Sequence, residues 1–332
     1  MPLLHIANTD LEFELTDPLP LEKGLVRNPI VHQLQYLPLI YAGKDEGVGV
    51  THLLPDERRC HLLTEPHLPF TEVESWGPSQ AVANWAKMKG LTYHMPPWDV
   101  VKTVNSKAFS FQQAAPLPSA QLITTWEELE QWLNTTDGPR VLKNCFGLSG
   151  QGHLFLPATP EKIKAFAQRE FIAGRPIIAE PWVMRKLDFS TQWIIHPDQS
   201  ITYEGATILV SDEKGRYQGN QIGPEEKIFG FYFHQLQSQK QTALHTLTHI
   251  STLGFFGNVG FDAMIWGDNI LHPIVEINAR KTMGWVALQI RKRLFSNQTI
   301  RVSYMSQKRE NPLLPESVDG INFPRNLYVL AE

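Results

Sequence analysis

Three side chains late in the chain place a carboxylate, an amide and a guanidinium at a spacing of two residues: Glu276, Asn278 and Arg280. In an extended strand alternate side chains point to the same face, so all three would face one spot. Carboxylate and amide oxygens bind hard cations such as Mg²⁺, and a guanidinium binds phosphate or carboxylate oxygens. Taken alone, the pattern fits equally a half-buried strand with a solvated polar face.

A second carboxylate, Asp262, is expected to lie beside Glu276. Residues 255–266 and 270–279 predict two strands joined by a tight turn at Gly267 and Asp268. The spacing on either side of this turn puts the two carboxylates near the same end of the ladder, within diagonal reach of each other. Carboxylates on neighbouring strands repel unless a cation or a proton lies between them, which favours a metal site over a solvated face.

A lysine followed by a glycine-rich loop is the next stretch suited to chemistry. Lys143 ends a β-like run, and Gly147, Ser149, Gly150 and Gly152 follow it. Glycines let backbone N–H groups approach an anion closely, and a preceding lysine can neutralise phosphate charge. The stretch matches neither the P-loop pattern nor a convincing GxGxxG pattern, so a plain hairpin turn is the alternative.

Alternating strands and helices would position these groups, which indicates an α/β chain. Strands are predicted over 36–42, 48–54, 120–124, 176–181, 188–196 and 201–210, and helices over 76–89, 100–111, 126–134, 160–172 and 233–253. Ser79 is the expected N-cap and Gly90 the stop of the first helix. Thr125 and Glu128 form a capping box for a later one. The polar segment 211–223 is predicted to be a mobile flap, with Lys214 and Arg216 as candidates to close over a bound ligand.

The composition is that of a folded protein, and the net charge argues against a nucleic-acid binder. The 332 residues are 42% hydrophobic and 19% charged with a net charge of −4, whereas nucleic-acid binders usually carry a basic surplus. Cys60 and Cys145 form no CxxC pair, so a metal or disulfide framework is not expected and a reducing cytosol fits. No secretory signal or apolar run long enough to span a membrane is apparent, so a cytoplasmic protein is expected.

In their order along the chain, these stretches resemble the ATP-grasp superfamily. The resemblance covers about 100–295 and rests on Lys143 with its glycine loop, on an acid-ended strand at Glu180, and on Asp262 followed by the 276–280 motif. Ala279 stands where many relatives have proline, and Pro181 is a second departure. The implied fold class is α/β: an α+β core of two lobes clamping ATP, preceded by a smaller α/β lobe. The implied domains are 1–115 for the first lobe, 116–310 for the ATP-grasp domain (lobes 116–183 and 184–310) and 311–332 for a C-terminal tail.

The resemblance also implies residue roles. Phosphates would be bound by Lys143 and Lys107, with Lys102 as the alternative to Lys107, under a loop containing Gly147, Ser149, Gly150 and Gly152. The hinge beside adenine would be Glu180, Pro181, Trp182 and Val183, with Asp188 near the ribose. Asp262, Glu276 and Asn278 would hold one or two Mg²⁺ ions, with Mn²⁺ as an alternative, and Arg280 and Lys143 would act in catalysis.

The implied activity is an ATP- and Mg²⁺-dependent ligase that activates a carboxylate as an acyl phosphate and joins it to an amine or a thiol. A small-molecule kinase on the same scaffold and a nucleotide-binding module without turnover are the alternatives. Partners would be a small carboxylate and an amine, with no nucleic acid or membrane, and a homodimer is expected only from the family. His153, His196 and His272 lack ligand spacing and are expected on loops or at the surface.

Overall fold

The computed structural model describes residues 2–147, 152–211, 217–296 and 298–331. Its strands are Leu3–Ile6 (β1), Gly47–Val50 (β2), Cys60–Leu62 (β3), Glu72–Ser75 (β4), Gln121–Ile123 (β5), Arg140–Lys143 (β6), His153–Leu156 (β7), Ile177–Pro181 (β8), Arg185–Ile195 (β9), Ile201–Ser211 (β10), Tyr217–Ile222 (β11), Gly257–Trp266 (β12), Ile270–Asn278 (β13), Ile300–Met305 (β14), Ser317–Val318 (β15), Ile321–Asn322 (β16) and Asn326–Ala331 (β17). Its α-helices are Leu11–Glu14 (α1), Leu21–Gly24 (α2), Pro29–Leu34 (α3), Pro38–Tyr41 (α4), Gln80–Lys89 (α5), Trp98–Val104 (α6), Lys107–Gln112 (α7), Trp126–Thr135 (α8), Pro160–Ile172 (α9), Glu225–Phe229 (α10), Phe233–Thr252 (α11) and Met283–Leu294 (α12).

The first lobe is a four-stranded parallel sheet in the order β3-β2-β1-β4. Helix α5 packs beside it, capped by the Ser79 hydroxyl, which accepts a hydrogen bond from the Val82 N–H, and ended by Gly90 in the left-handed region at φ 70°. Both ends are as the sequence predicts, because a hydroxyl satisfies an open N–H and glycine tolerates positive φ.

Two predictions in this part of the chain are wrong. Residues 36–42, expected as a strand, contain helix α4, whose first position is Pro38. Proline favours that position because its fixed φ suits a helix and its missing N–H would be unpaired there. The helix expected over 100–111 is two helices, α6 and α7, and the Ser106 hydroxyl between them caps α7 by accepting from the Ala108 N–H.

The second sheet is antiparallel, four-stranded and small, in the order β5-β8-β6-β7. Helices α8 and α9 cover it, and α8 begins with the predicted capping box, in which Thr125 and Glu128 each bond the other's backbone. Its buried apolar core draws only on residues between Ile123 and Ala179. This lobe therefore has a core of its own.

The third sheet has seven antiparallel strands in the order β13-β12-β9-β10-β11-β14-β17. The predicted hairpin of β12 and β13 lies at one edge, and Asp262 pairs directly with Glu276 rather than diagonally. The segment 211–223, predicted as a flap, contains strand β11, which pairs with β10 and β14. Lys214 and Arg216 of the predicted flap lie outside the described residues.

The predicted C-terminal tail, 311–332, contains strands β15, β16 and β17, and β17 pairs with β14 at the far edge of the large sheet. The largest buried core joins the first lobe to this sheet, since Tyr36 and Trp76 pack in one cluster with Val286, Val302 and Leu327. The domain boundaries at 115, 183 and 310 stay predictions. Among the described residues, no helix is both long and apolar enough to cross a membrane.

Candidate functional site

A cavity of about 410 Å³ lies between the small sheet and the large one. Its lining includes most of the polar residues that the sequence singled out: Lys107, Lys143, Gly147, Glu180, Trp182, Asp188, Asp262, Glu276, Asn278 and Arg280. Elements from both lobes supply them, because β6 and β8 face β9, β12 and β13 across the opening. The structure thus brings the predicted stretches together at one place.

Lys107 and Glu276 form an ion pair inside this cavity. The Lys107 ammonium lies 2.5 Å from Glu276 Oε1 and also donates to the Gly147 carbonyl at 3.3 Å. Helix α7 holds the lysine there because the Ser110 hydroxyl accepts from the Ile277 N–H at 3.0 Å, on the edge strand β13. Lys107 therefore connects both lobes of the cavity.

The pKa values of the two paired carboxylates, Asp262 and Glu276, are shifted in opposite directions. Burial and then the neighbouring Glu276 charge raise the pKa of Asp262 from 3.8 to about 6, although Ser190 and Asn278 donate to it. Burial acts to raise the pKa of Glu276 as well, but the Lys107 ammonium and then the Arg280 charge together hold that pKa below its ordinary value. Asp262 is thus a buried carboxylate whose charge is only partly compensated, which is the condition that a bound cation would relieve.

Asn278 and Arg280 complete this end of the cavity. The Asn278 amide donates to Asp262 Oδ2 at 3.1 Å, and its oxygen accepts from Arg280 Nη2 at 3.0 Å. Arg280 itself lies beyond the end of β13 and also forms an ion pair with Glu12 of the first lobe. Its guanidinium therefore bridges the metal-type ligands and the first lobe.

The donor set of Asp262, Glu276 and Asn278 fits a hard cation by its chemistry, because two carboxylates and one amide lie on neighbouring strands around a partly compensated negative charge. A cation would replace the hydrogen bonds that Lys107 donates to Glu276 and that Arg280 donates to the Asn278 oxygen. In the described part of the chain, no three His, Cys, Asp or Glu side chains converge as a metal site. The predicted ligand set is not such a group, because its third ligand, Asn278, is an amide rather than a histidine, a cysteine or a carboxylate.

Lys143 forms a second ion pair, with Glu180, across the small sheet. Both residues are buried, and their strands β6 and β8 are neighbours. Lys143 was predicted to contact phosphate and Glu180 the adenine edge, and here each neutralises the other. A nucleotide would have to exchange these partners.

The predicted hinge and glycine loop contribute unequally. Trp182 lines the cavity, where the Arg185 guanidinium stacks on its ring at 4.7 Å and also donates to Asp188 at 3.2 Å. Pro181 and Val183 are outside the cavity lining. Ser149 and Gly150 lie outside the described residues, and Gly152 (φ 86°) packs against the Asn144 side chain.

Sequence reasoning missed two histidines in the cavity lining, His153 and His272. Burial, and then the Lys143 and Lys107 charges, lower the pKa of His153 to about 4, so the ring is neutral at pH 7. Burial also lowers the pKa of His272. The expectation of surface positions is wrong for both. The alternation of β7 and β13 could have placed them near Lys143 and Glu276, but not in a cavity formed by distant segments. Lys102, the alternative to Lys107 as a phosphate ligand, is outside the lining of this cavity, and its ammonium lies 5.6 Å from the centre of the Trp98 ring.

No protein-family model and no curated protein matches the sequence. Solved structures share the fold. An N5-carboxyaminoimidazole ribonucleotide synthetase from Thermus thermophilus is similar with a TM-score of 0.56 at 13% identity, covering 99% of this chain and 93% of that one. A carboxyaminoimidazole ribonucleotide synthase from Aspergillus clavatus, complexed with ATP, gives 0.55 at 12% identity over 100% and 93%.

A biotin carboxylase from Campylobacter jejuni, in a complex with β-γ-ATP, gives a TM-score of 0.51 at 11% identity and covers 72% of this chain and 60% of that one. Identities this low establish the fold and nothing finer. The α/β class and the two lobes around the cavity agree with that fold, and the chain therefore has the ATP-grasp architecture that its sequence pattern predicts.

Proposed function

We propose that this protein is an ATP- and Mg²⁺-dependent ligase that activates a carboxylate as an acyl phosphate and joins it to an amine. The observation that carries the proposal is the cavity in which Lys107, Lys143 and Arg280 converge with the ligand set Asp262, Glu276 and Asn278. Three cations suit a polyphosphate, and the oxygen ligands suit the metal that accompanies it.

The reaction divides into two displacements. A carboxylate oxygen of the substrate attacks the γ-phosphorus of ATP, the bond from that phosphorus to the β,γ-bridging oxygen breaks, and ADP leaves. The amine nitrogen then attacks the acyl carbon, the bond from carbon to the phosphate oxygen breaks, inorganic phosphate leaves, and the nitrogen loses a proton to water. A carboxylate needs this activation because its charge repels nucleophiles and oxide is a poor leaving group.

The chain's own residues bind and orient. Lys107 and Lys143 neutralise phosphate oxygens once their carboxylate partners release them, and Arg280 binds the substrate carboxylate or the transferred phosphate. Trp182 and Glu180 line the side of the cavity where the adenine ring would lie, which supports the predicted hinge. Mg²⁺ held by Asp262, Glu276 and Asn278 would supply charge neutralisation for the phosphates.

The test is Mg²⁺-dependent ATP binding, measured by calorimetry in the native protein and in Glu276→Ala. We expect at least about 10-fold weaker binding in the variant, since even indirect partners of metal ligands cost this much when they are removed. Glu276→Gln keeps the size of the side chain and guards against misfolding, and Glu130→Ala, on an exposed helix position, is the matched control. Equal binding in the native and Glu276 proteins, or none in the native protein, contradicts the proposal.

A further inference from the structure

A second cavity, of about 280 Å³, lies beside the first lobe. Its wall includes Glu72 and Glu74 of strand β4, Asn258 of strand β12, and Arg280 with Lys281. Arg280 also lines the larger cavity. Arg280 therefore borders both spaces, and the second cavity adjoins the end of the first one at which Arg280 lies.

The β4 wall of this cavity is acidic. Glu72 and Glu74 are two residues apart on a strand at the edge of its sheet, so their side chains share one face. Glu74 is compensated by an ion pair with the buried Lys281. Among the described residues, no ion pair forms at Glu72, so its charge is available to a ligand.

The opposite wall offers donors. Arg280 Nε and Asn258 Nδ2 are buried, and neither atom has a hydrogen-bond partner among the described residues. Buried donors are normally paired, because an unpaired one costs roughly 1 to 3 kcal/mol. Both donors belong to residues of the cavity wall, and the two atoms are shielded from solvent, so a ligand with carboxylate oxygens at this end would pair them once the two side chains turn toward the cavity.

The charges of the two walls would orient a bound ligand. Donors lie at the Arg280 end, which adjoins the nucleotide cavity, and an uncompensated carboxylate lies on β4. A ligand with an anionic end and a cationic end fits in only one orientation, with the anion next to the position of the transferred phosphate.

We propose that this second cavity binds the carboxylate substrate, and that this substrate is an amino acid or another acid carrying an ammonium group. Its carboxylate pairs with Arg280 and Asn258, and its ammonium pairs with Glu72. The inference rests on the proposed ligase function and adds the chemical class of the acid that is activated. It predicts selection against acids with a second negative charge, since these would face Glu72.

The test titrates matched acids into the protein loaded with Mg²⁺ and a non-hydrolysable ATP analogue. Each pair differs by one ammonium group: glycine and acetate, 4-aminobutyrate and butyrate, 6-aminohexanoate and hexanoate. L-Lysine and glutarate extend the series toward more positive and more negative ends. We expect at least one amino acid to bind about 10-fold or more tightly than its amine-free partner, and glutarate to bind weakest.

Variants at the β4 wall separate recognition of the ammonium from folding. Glu72→Gln should remove the preference of the amino acid over its amine-free partner, and Glu72→Arg should reverse it in favour of glutarate, while binding of the ATP analogue stays unchanged. Glu130→Gln, on the small lobe, is the control and should leave the preference as it is. Retention of the ATP-analogue affinity shows that each variant is folded.

Three outcomes overturn the inference. They are equal binding of the members of every pair, no binding of any acid, or an ammonium preference that survives in Glu72→Gln. In each case intact Mg²⁺-dependent ATP binding leaves the proposed ligase function standing. If the native protein does not bind ATP at all, that function fails first.

Discussion

The two cavities that share Arg280 handle their charges in different ways. In the nucleotide cavity the cations already have carboxylate partners: Lys107 with Glu276, Lys143 with Glu180, and Arg185 with Asp188. On the first-lobe side the acids are in excess. In the second cavity Glu72 has no ion-pair partner among the described residues, and elsewhere in the first lobe Asp10 and Glu14 are buried near each other.

The difference concerns what a ligand must do on arrival. A nucleotide entering the larger cavity exchanges one set of charge pairs for another, because these three cations already have carboxylate partners. A ligand in the second cavity meets three groups without a partner among the described residues, the Glu72 carboxylate and the donors Arg280 Nε and Asn258 Nδ2, and its own charges would pair them. In the larger cavity the existing ion pairs limit the free-energy cost of leaving buried charges without a ligand. In the second cavity the unpaired groups make binding depend on the sign of the ligand's charge.

The largest effect is expected at the Lys107–Glu276 pair. Lys107→Met leaves Glu276 mostly buried without its cation, and we expect the free energy of unfolding in Mg²⁺-free buffer to fall by about 3 kcal/mol, since breaking a buried ion pair costs roughly this much. Chemical denaturation measures it. The double variant Lys107→Met/Glu276→Gln should recover most of the loss, because position 276 then carries no charge that has lost its partner. If Lys107→Met is as stable as the native protein, the pair does not contribute to the free energy of unfolding.

A smaller effect is expected at Asp10, a buried carboxylate that forms no ion pair within the described part of the chain. Burial, and then the Glu14 charge, raise the pKa of Asp10 from 3.8 to about 6. The folded state therefore binds this proton more tightly than the unfolded state. Stability from the protonated form is complete below pH 3.8 and is lost as the pH rises through 6.

Asp10→Asn should consequently stabilise the protein at pH 8 by about 2 to 3 kcal/mol, at roughly 1.4 kcal/mol per pKa unit, and by much less at pH 4. Denaturation midpoints of both proteins at the two pH values measure this. Asp45→Asn, at an exposed position of the same lobe, is the control. A gain that does not depend on pH would contradict the assignment of the effect to this carboxyl.

The smallest effect concerns the residue common to both cavities. Arg280→Lys keeps the charge but loses the fork that bonds Asn278, Glu12 and the Lys281 carbonyl. We expect ATP binding to change less than about 3-fold, and acid-dependent ADP formation to fall about 10-fold, which is close to one charge-assisted hydrogen bond. Coupled-assay kinetics with varied acid measure it. An equal loss in both quantities would place Arg280 on the nucleotide alone.

Local patterns predicted the parts of the site that one hairpin or one strand can encode. A two-residue period and a turn at Gly267 were enough to bring Asp262 to Glu276, and a strand ending in lysine gave Lys143 its place. The order of these stretches then predicted the fold class. Ser79 and Thr125 marked helix starts because capping depends on residues within one turn.

What the sequence could not show depends on pairing between distant segments. Segment 211–223 looked like a loop because polar residues surround Tyr217–Ile222, yet this strand is held by β14, far along the chain. Arg280 continues the two-residue spacing but leaves the strand, since its partner Glu12 lies in the first lobe. The Lys107–Glu276 pair depends on α7 docking against β13, which no local period reports.

The core that joins the first lobe to the large sheet has a consequence for motion. Gly77 lies directly against Arg280, the Lys281 N–H donates to the Trp76 carbonyl at 2.9 Å, and buried aromatic rings cross the same boundary. The lobe that contains Lys143 has a separate core. We therefore expect the first lobe and the large sheet to move as one rigid body. The small lobe is expected to rotate relative to them and so to open and close the larger cavity.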